Sequence, residues 1–135
     1  MHYHAVLPIL GFDEIREFDL EPIDETFFRL KNREADHPAF VLIHPATVRD
    51  DYVFDLPEQA AEKLGLQREE DALVLNIMIV GTPLEESFIN FLAPLVFNTA
   101  NGKMGQVVLD SAQYPDYGVA EPLKKYLEKR QKDAS

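Results

Sequence analysis

The chain has 135 residues, enough for one domain, and with 46% apolar and 27% charged residues it can bury a core without staples. It contains no cysteine, which excludes disulfides, thiolate metal sites, iron–sulfur clusters and Cys nucleophiles together. A net charge of −11 repels phosphate backbones and anionic membrane surfaces and favours a basic protein partner. The acids dominate residues 1–120, whereas the tail sets Lys124, Lys125, Lys129, Arg130 and Lys132 against Glu121, Glu128 and Asp133.

Met1–Pro8 has no basic n-region and too short an apolar run for a signal peptide, and no stretch approaches the roughly 18–20 apolar residues of a membrane span. A cytoplasmic protein is therefore expected. His2 and His4, one residue apart, can face one metal on an extended strand, but no third ligand is placed beside them. Gly11, Gly65, Gly81, Gly102, Gly105 and Gly118 are dispersed, as turn residues are. No phosphate loop, dinucleotide fingerprint or nucleophile elbow occurs, so no cofactor, metal or catalytic residue is expected.

Two segments, Thr26–Leu30 and Ala39–His44, suit strands, the second bracketed by Pro38 and Pro45; His37 and His44 then lie at its ends. Asp50–Asp55 alternates aromatics with acids: Tyr52 and Phe54 share one face of a strand, and Asp51, Val53 and Asp55 the other. Such a strand is either half-buried or an edge able to take up a peptide by strand addition. Pro57–Gly65 reads as a helix, with Pro57 at N1, Gly65 at C′ and a stripe of Leu56, Ala60 and Leu64. The strongest strand is Leu73–Val80, apolar on both faces except for Asn76.

Phe88–Phe97 and Gly105–Leu109 complete a three-stranded antiparallel meander around an Asn101-Gly102 turn, with Pro94 marking an edge or a bulge. A second helix is expected over about 121–132, where Leu123, Tyr126 and Leu127 form a stripe and late Lys129, Arg130 and Lys132 complement the helix dipole. The expected fold is mainly β: a small antiparallel β-barrel or sandwich-like domain with two short helices, about 57–65 and 121–132. Residues 1–120 would form the β domain, and 121–135 an amphipathic helix packed on it.

Paired acids recur at Asp13-Glu14, Asp24-Glu25, Asp50-Asp51, Glu69-Glu70-Asp71 and Glu85-Glu86. Adjacent carboxylates point to opposite faces of a strand and are no sign of a catalytic dyad. A solvated surface, or a patch for a cationic partner, accounts for them better.

Four blocks in order give the chain a resemblance to one family, the flagellar assembly factor FliW. They are Gly11–Glu14; Phe40–Pro45 followed by Asp51–Pro57; Thr82–Asn98; and Gly105–Asp110 with Tyr114 soon after. Where family members commonly turn on Gly-Ile-Pro-Gly-Phe after a longer first strand, this chain reads Leu7-Pro8-Ile9-Leu10-Gly11-Phe12. Its charged C-terminal helix is similar to that of members from helical, epsilon-type flagellated bacteria. The resemblance implies a non-enzymatic, chaperone-like regulator of flagellum biogenesis that binds the translational repressor CsrA. It further implies relief of flagellin mRNA repression and a partner switch in which flagellin itself takes up the regulator.

Charge alone suggests mimicry of RNA on the CsrA groove, while the family picture is a noncompetitive antagonist bound elsewhere. Both remain open at the level of sequence. Aromatic anchors in an acidic rim match interface anatomy, which assigns partner contact to Asp50, Asp51, Tyr52, Phe54, Glu85, Glu86, Ser87 and Asn90. For Asn90, with Ala93 and Pro94, a backbone role at a bulge competes. Direct nucleic-acid or membrane binding is not expected. The alternatives are a small-molecule-binding barrel, an acidic scaffold for another basic protein, a carboxylate-pair hydrolase, and a structural flagellar component.

Overall fold

Tyr3 and Ala5, Phe18 and Leu20, Leu30, Leu42, Leu75, Leu95 and Phe97, and Met104 come from seven strands and meet in one buried cluster. Alternate side chains of a strand share a face, so these residues line the inside of a closed sheet. In the computed structural model, which describes residues 1–127, the strands are β1 (His2–Leu7), β2 (Glu17–Pro22), β3 (Phe27–Asn32), β4 (Ala39–Ile43), β5 (Ala72–Ile79), β6 (Phe88–Ile89), β7 (Leu95–Asn98), β8 (Lys103–Gln106) and β9 (Glu121–Pro122). Their order is β4-β3-β2-β1-β8-β7-β5, with β4 pairing back onto β5, and this closes a seven-stranded barrel. Strands β6 and β9 extend the sheet beyond β5. All pairings are antiparallel except β1 with β8.

The expected mainly β barrel and the β5–β7–β8 meander are both present, with β8 at Lys103–Gln106 and not over the expected Gly105–Leu109. Strands β1 and β2 were not anticipated from the sequence. Glu17-Phe18-Asp19-Leu20-Glu21 nevertheless alternates acid with apolar residue, as a half-buried strand should. The single strand expected over Phe88–Phe97 is divided between β6 and β7. After Asn90 N–H donates to Ile77 O, the Phe91 and Leu92 amides turn to Gly118 O, Ala93 N–H is taken by the Asn90 side chain, and Pro94 has no N–H to give. At Gly105 a Cβ would sit 2.4 Å from that of Leu7, so only glycine lets β1 and β8 approach where their register shifts.

Helix α1 (Glu58–Leu64) begins one residue later than expected, with Pro57 as N-cap, and ends on Gly65 in the left-handed region at φ 64°. It lays Ala60 and Leu64 on Val96, Val107 and Leu109, outside the barrel. A third cluster, also outside, joins Ile43, Met78, Ile89 and Phe91 to Leu123 and Tyr126. Of the helix expected over 121–132, Glu121–Pro122 form strand β9 instead, because they pair with Ile89 and Phe88; residues 123–127 are helical, and 128–132 lie outside the described residues. Each fully buried Leu or Phe in these clusters contributes about 1.5–3 kcal/mol.

Candidate partner-binding site

The barrel closes through only three residue pairs, Val41 with Met78, Leu42 with Ile77 and Ile43 with Asn76. In the same register Pro45 would come opposite Val74. Proline has no N–H, and the Pro45 carbonyl is already taken by the Val48 and Arg49 amides, so the closing ladder stops there. The chain turns at Pro45–Thr47 and runs outward through Arg49–Leu56. The strand expected over Asp50–Asp55 does not form. The segment is extended and alternates in burial, but its backbone pairs with tyrosine hydroxyls instead of a sheet. Val53 N–H and Asp55 N–H donate to the Tyr117 and Tyr114 hydroxyls at 2.9 and 2.8 Å, and Tyr117 O–H donates to Val53 O at 2.7 Å.

Arg49 anchors this segment. Its side chain is only 7% exposed, and it donates two bonds to Asp51, at 2.8 and 2.9 Å, and one to the Tyr126 hydroxyl at 2.9 Å. Its guanidinium lies 4.9–5.9 Å from the ring centres of Phe91, Tyr117, Tyr126 and Tyr52, and 3.5 Å from the buried Glu121 carboxylate. Tyr126 O–H donates to Glu121, whose other oxygen accepts from Gly118 N–H at 2.8 Å. A buried cation with two carboxylates and an aromatic cage is thus satisfied on every side. The Asp51 hydrogen bonds hold the Arg49 pKa above even its usual high value. Burial pushes the Tyr52 and Tyr126 hydroxyls well up, and the hydrogen bond to Glu121 adds to the rise at Tyr126.

Tyr52 ties this layer to the β6–β7 connection. Its hydroxyl donates to Phe91 O at 2.6 Å and accepts from the Asn76 amide, which also donates to Asn90 O at 2.9 Å. The one polar residue of the strongest predicted strand is therefore the junction between two of the blocks quoted above. The structure brings Asp50, Asp51, Tyr52 and Phe54 together, and Asn90 joins them through Asn76, with its own side chain spent on Ala93 N–H. Ser87 is fully buried, and its hydroxyl accepts from Gly81 N–H. Glu85 and Glu86 stand exposed in the Leu84–Glu86 turn. Close by in the sheet, Ile79, Phe88 and Pro122 are paired across β5, β6 and β9 and exposed, an apolar row on one face.

Arg49, Tyr114, Tyr117, Glu121 and Tyr126 were not assigned to the partner site from the sequence. The available signal was a lone arginine beside Asp50-Asp51, with three tyrosines in the 13 residues 114–126.

Two grooves flank the segment, and Asp50 lines both. One, of about 830 Å³, lies between Tyr52–Leu56 and the start of β5; the other, of about 710 Å³, is walled by Asp51, Asp116, Glu121 and Lys125. Among the described residues no group of three or more His, Asp or Glu is placed to hold a metal. His2 and His4 do share a face, but both turn to Glu17, at 2.7 and 2.6 Å. Nor is any described helix long and apolar enough to cross a membrane.

The comparisons with known proteins agree with this architecture. The family model described as FliW protein matches residues 3–123. The chain is 48% identical over 127 residues to flagellar assembly factor FliW 2 of Wolinella succinogenes, an alignment covering 94% of this chain and 93% of that one. It is 39% identical to flagellar assembly factor FliW of Sulfurimonas denitrificans, covering 96% and 100% of the two chains. With the Campylobacter lari protein of the same name it shares 38% identity over 94% and 97%. A crystal structure of the flagellar assembly factor FliW superposes with a TM-score of 0.83 at 27% identity, covering 90% of this chain and 84% of that one. The chain belongs to the FliW family of flagellar assembly factors.

Proposed function

We propose that this chain is a cytoplasmic protein that binds the translational regulator CsrA and relieves repression of flagellin mRNA. Flagellin is its competing partner, so that accumulated filament subunit returns CsrA to its message. The observation that carries the proposal is an exposed acidic segment, Asp50–Asp55, pinned in an extended shape on the barrel of a chain with net charge −11. Its fixed shape removes ordering cost from binding, and its charge steers a basic dimer such as CsrA toward it. Asp50, Asp51, Tyr52 and Phe54 form the contact, Asn90 and Ser87 hold the neighbouring backbone, and Glu85-Glu86 with the Ile79–Phe88 row offers a second surface. Family membership supports the flagellar partner.

The test is calorimetric titration of CsrA at low and high salt. Asp51 already engages Arg49, so the variant that changes surface charge without disturbing that clamp is Asp50→Lys with Asp55→Lys. It should weaken binding by about tenfold at low salt and flatten the salt dependence. Flagellin should displace CsrA from the unaltered protein. Equal affinity of variant and parent at both salts would remove the contact assignment, and no CsrA binding at all would remove the function.

A further inference from the structure

Backbone polar groups inside a fold nearly always have partners, and an unpaired strand edge is a template for another chain. The start of β5 is such an edge. Asn90 N–H bonds to Ile77 O and Thr99 N–H to Asp71 O, so the odd-numbered residues of β5 face β6 and β7. The even-numbered ones face β4, but β4 reaches only as far as Asn76. Val74, whose partner would be Pro45, is left with its N–H and C=O outside any ladder among the described residues. Ala72 spends its N–H on Glu69 O and leaves its carbonyl on the same edge.

The opposite wall of the 830 Å³ groove repeats the pattern. Val53 and Asp55 turn their amides to Tyr117 and Tyr114, and an extended chain points alternate backbone groups in opposite directions. The backbone N–H and C=O groups of Tyr52 and Phe54 therefore point away from those hydroxyls, and among the described residues they make no hydrogen bond. Both walls line the one groove. It is lined by apolar side chains such as Val74 and Val96 and by Asp50, Asp55 and Glu69, whose carboxylates are in no ion pair among the described residues, whereas its arginines, Arg49 and Arg68, are already paired with Asp51 and Glu70.

The geometry points to a strand-addition slot: an extended segment with alternating basic and apolar residues lies along Val74 of β5, its backbone on that edge and its cations on Asp50, Asp55 and Glu69. This deepens the partner-binding function and rests on it for the identity of the protein that supplies the segment. The barrel's closing seam is then the recognition element. Pro45 keeps it open by withholding one N–H, and the tyrosine-pinned segment keeps the far wall from collapsing onto it.

The probe is a capped hexapeptide of alternating lysine and valine, added to the isotope-labelled protein. Amide exchange at Val74 should slow by about tenfold or more at saturation, because a free edge amide opens with almost no cost and a bonded one does not. N-methylation of alternate peptide residues should weaken binding about tenfold in one phase and little in the other, as loss of an edge hydrogen bond requires. Asp50→Lys with Asp55→Lys should weaken it too, and a glutamate–valine peptide should not bind. Unchanged exchange at Val74 under saturating peptide, or equal effects of both methylation phases, would overturn the slot. Full-length CsrA bound without protection at Val74 also overturns it and leaves the function standing; peptide protection at Val74 without CsrA binding sustains the slot and removes that partner.

Discussion

The barrel interior is closed to water and the aromatic layer outside it only half so, and different forces hold them. Inside, Tyr3, Phe18, Leu30, Leu42, Leu75, Leu95 and Phe97 interlock as apolar side chains, and Tyr3 meets Phe97 edge-on at 4.9 Å. Outside, Tyr52, Phe91, Tyr117 and Tyr126 surround a charged guanidinium, and polar bonds carry the extended segment. The interior depends on filled volume and tolerates little change in shape. The outer layer depends on pairing, so its weak point is a charge left without its partner. The proposed partner surface falls on the second region because a segment held by side chains, outside the ladders, can present its acids and its free backbone edge to another protein.

The largest effect should come from emptying the interior. Phe97→Ala removes a fully buried ring from the middle of β7 and should cost about 4 kcal/mol in denaturant unfolding. A loss below about 1 kcal/mol would mean that the seven strands do not share one interlocked core. Next comes Arg49→Met, which keeps the bulk but takes from the buried Glu121 carboxylate its buried cation, leaving it the exposed Lys125 at 3.5 Å; about 3 kcal/mol should be lost. Adding Glu121→Gln should restore a large part of that, since a buried charge balanced only by an exposed lysine, and not the missing contact, is the main cost. The chain has five tyrosines and no tryptophan, and only Tyr3 lies inside the barrel. Near-ultraviolet dichroism should therefore fade in Arg49→Met at temperatures where the far-ultraviolet signal is intact. Simultaneous loss of both signals would show the two regions to be one cooperative unit.

The same contrast decides what the sequence revealed. Interior strands announce themselves where apolar residues run long, as in Leu73–Val80 and Ala39–Ile43, and helix α1 is marked by Pro57 and Gly65. Strand β2 is a weaker signal, because Phe18 and Leu20 are its only core residues and acids separate them. The site was legible as composition, with acids and aromatics alternating over Asp50–Asp55, but not as architecture. Nothing local states that Pro45 ends the ladder opposite Val74, or that tyrosines 64 and 59 residues away bind the Val53 and Asp55 amides. Those are register facts between distant segments. Ser87 misled for the same reason: beside two exposed glutamates it reads as surface, while its pairing with Gly81 buries it.

The smallest expected effect tests whether polar pairing matters only where water is excluded. On the barrel's outer face Glu17 lies between His2 and His4, 2.7 and 2.6 Å from their ring nitrogens, with all three side chains partly open to solvent. Those two hydrogen bonds, His4 first, hold the Glu17 carboxyl below its ordinary pKa. A depressed folded-state value stabilises the fold above the unfolded carboxylate pKa, and that stability is lost as pH falls through the folded value. Glu17→Gln should accordingly cost about 0.5 kcal/mol at neutral pH, after screening of an exposed pair, and nothing once the parent's carboxyl is protonated. Paired unfolding curves from neutral pH down past the carboxylate range should converge at the acid end. A cost at neutral pH rivalling that of Arg49→Met would mean that pairing at the surface and pairing in the aromatic cage differ in position but not in strength, and burial would lose its place as the reason Arg49 is the keystone of the outer layer.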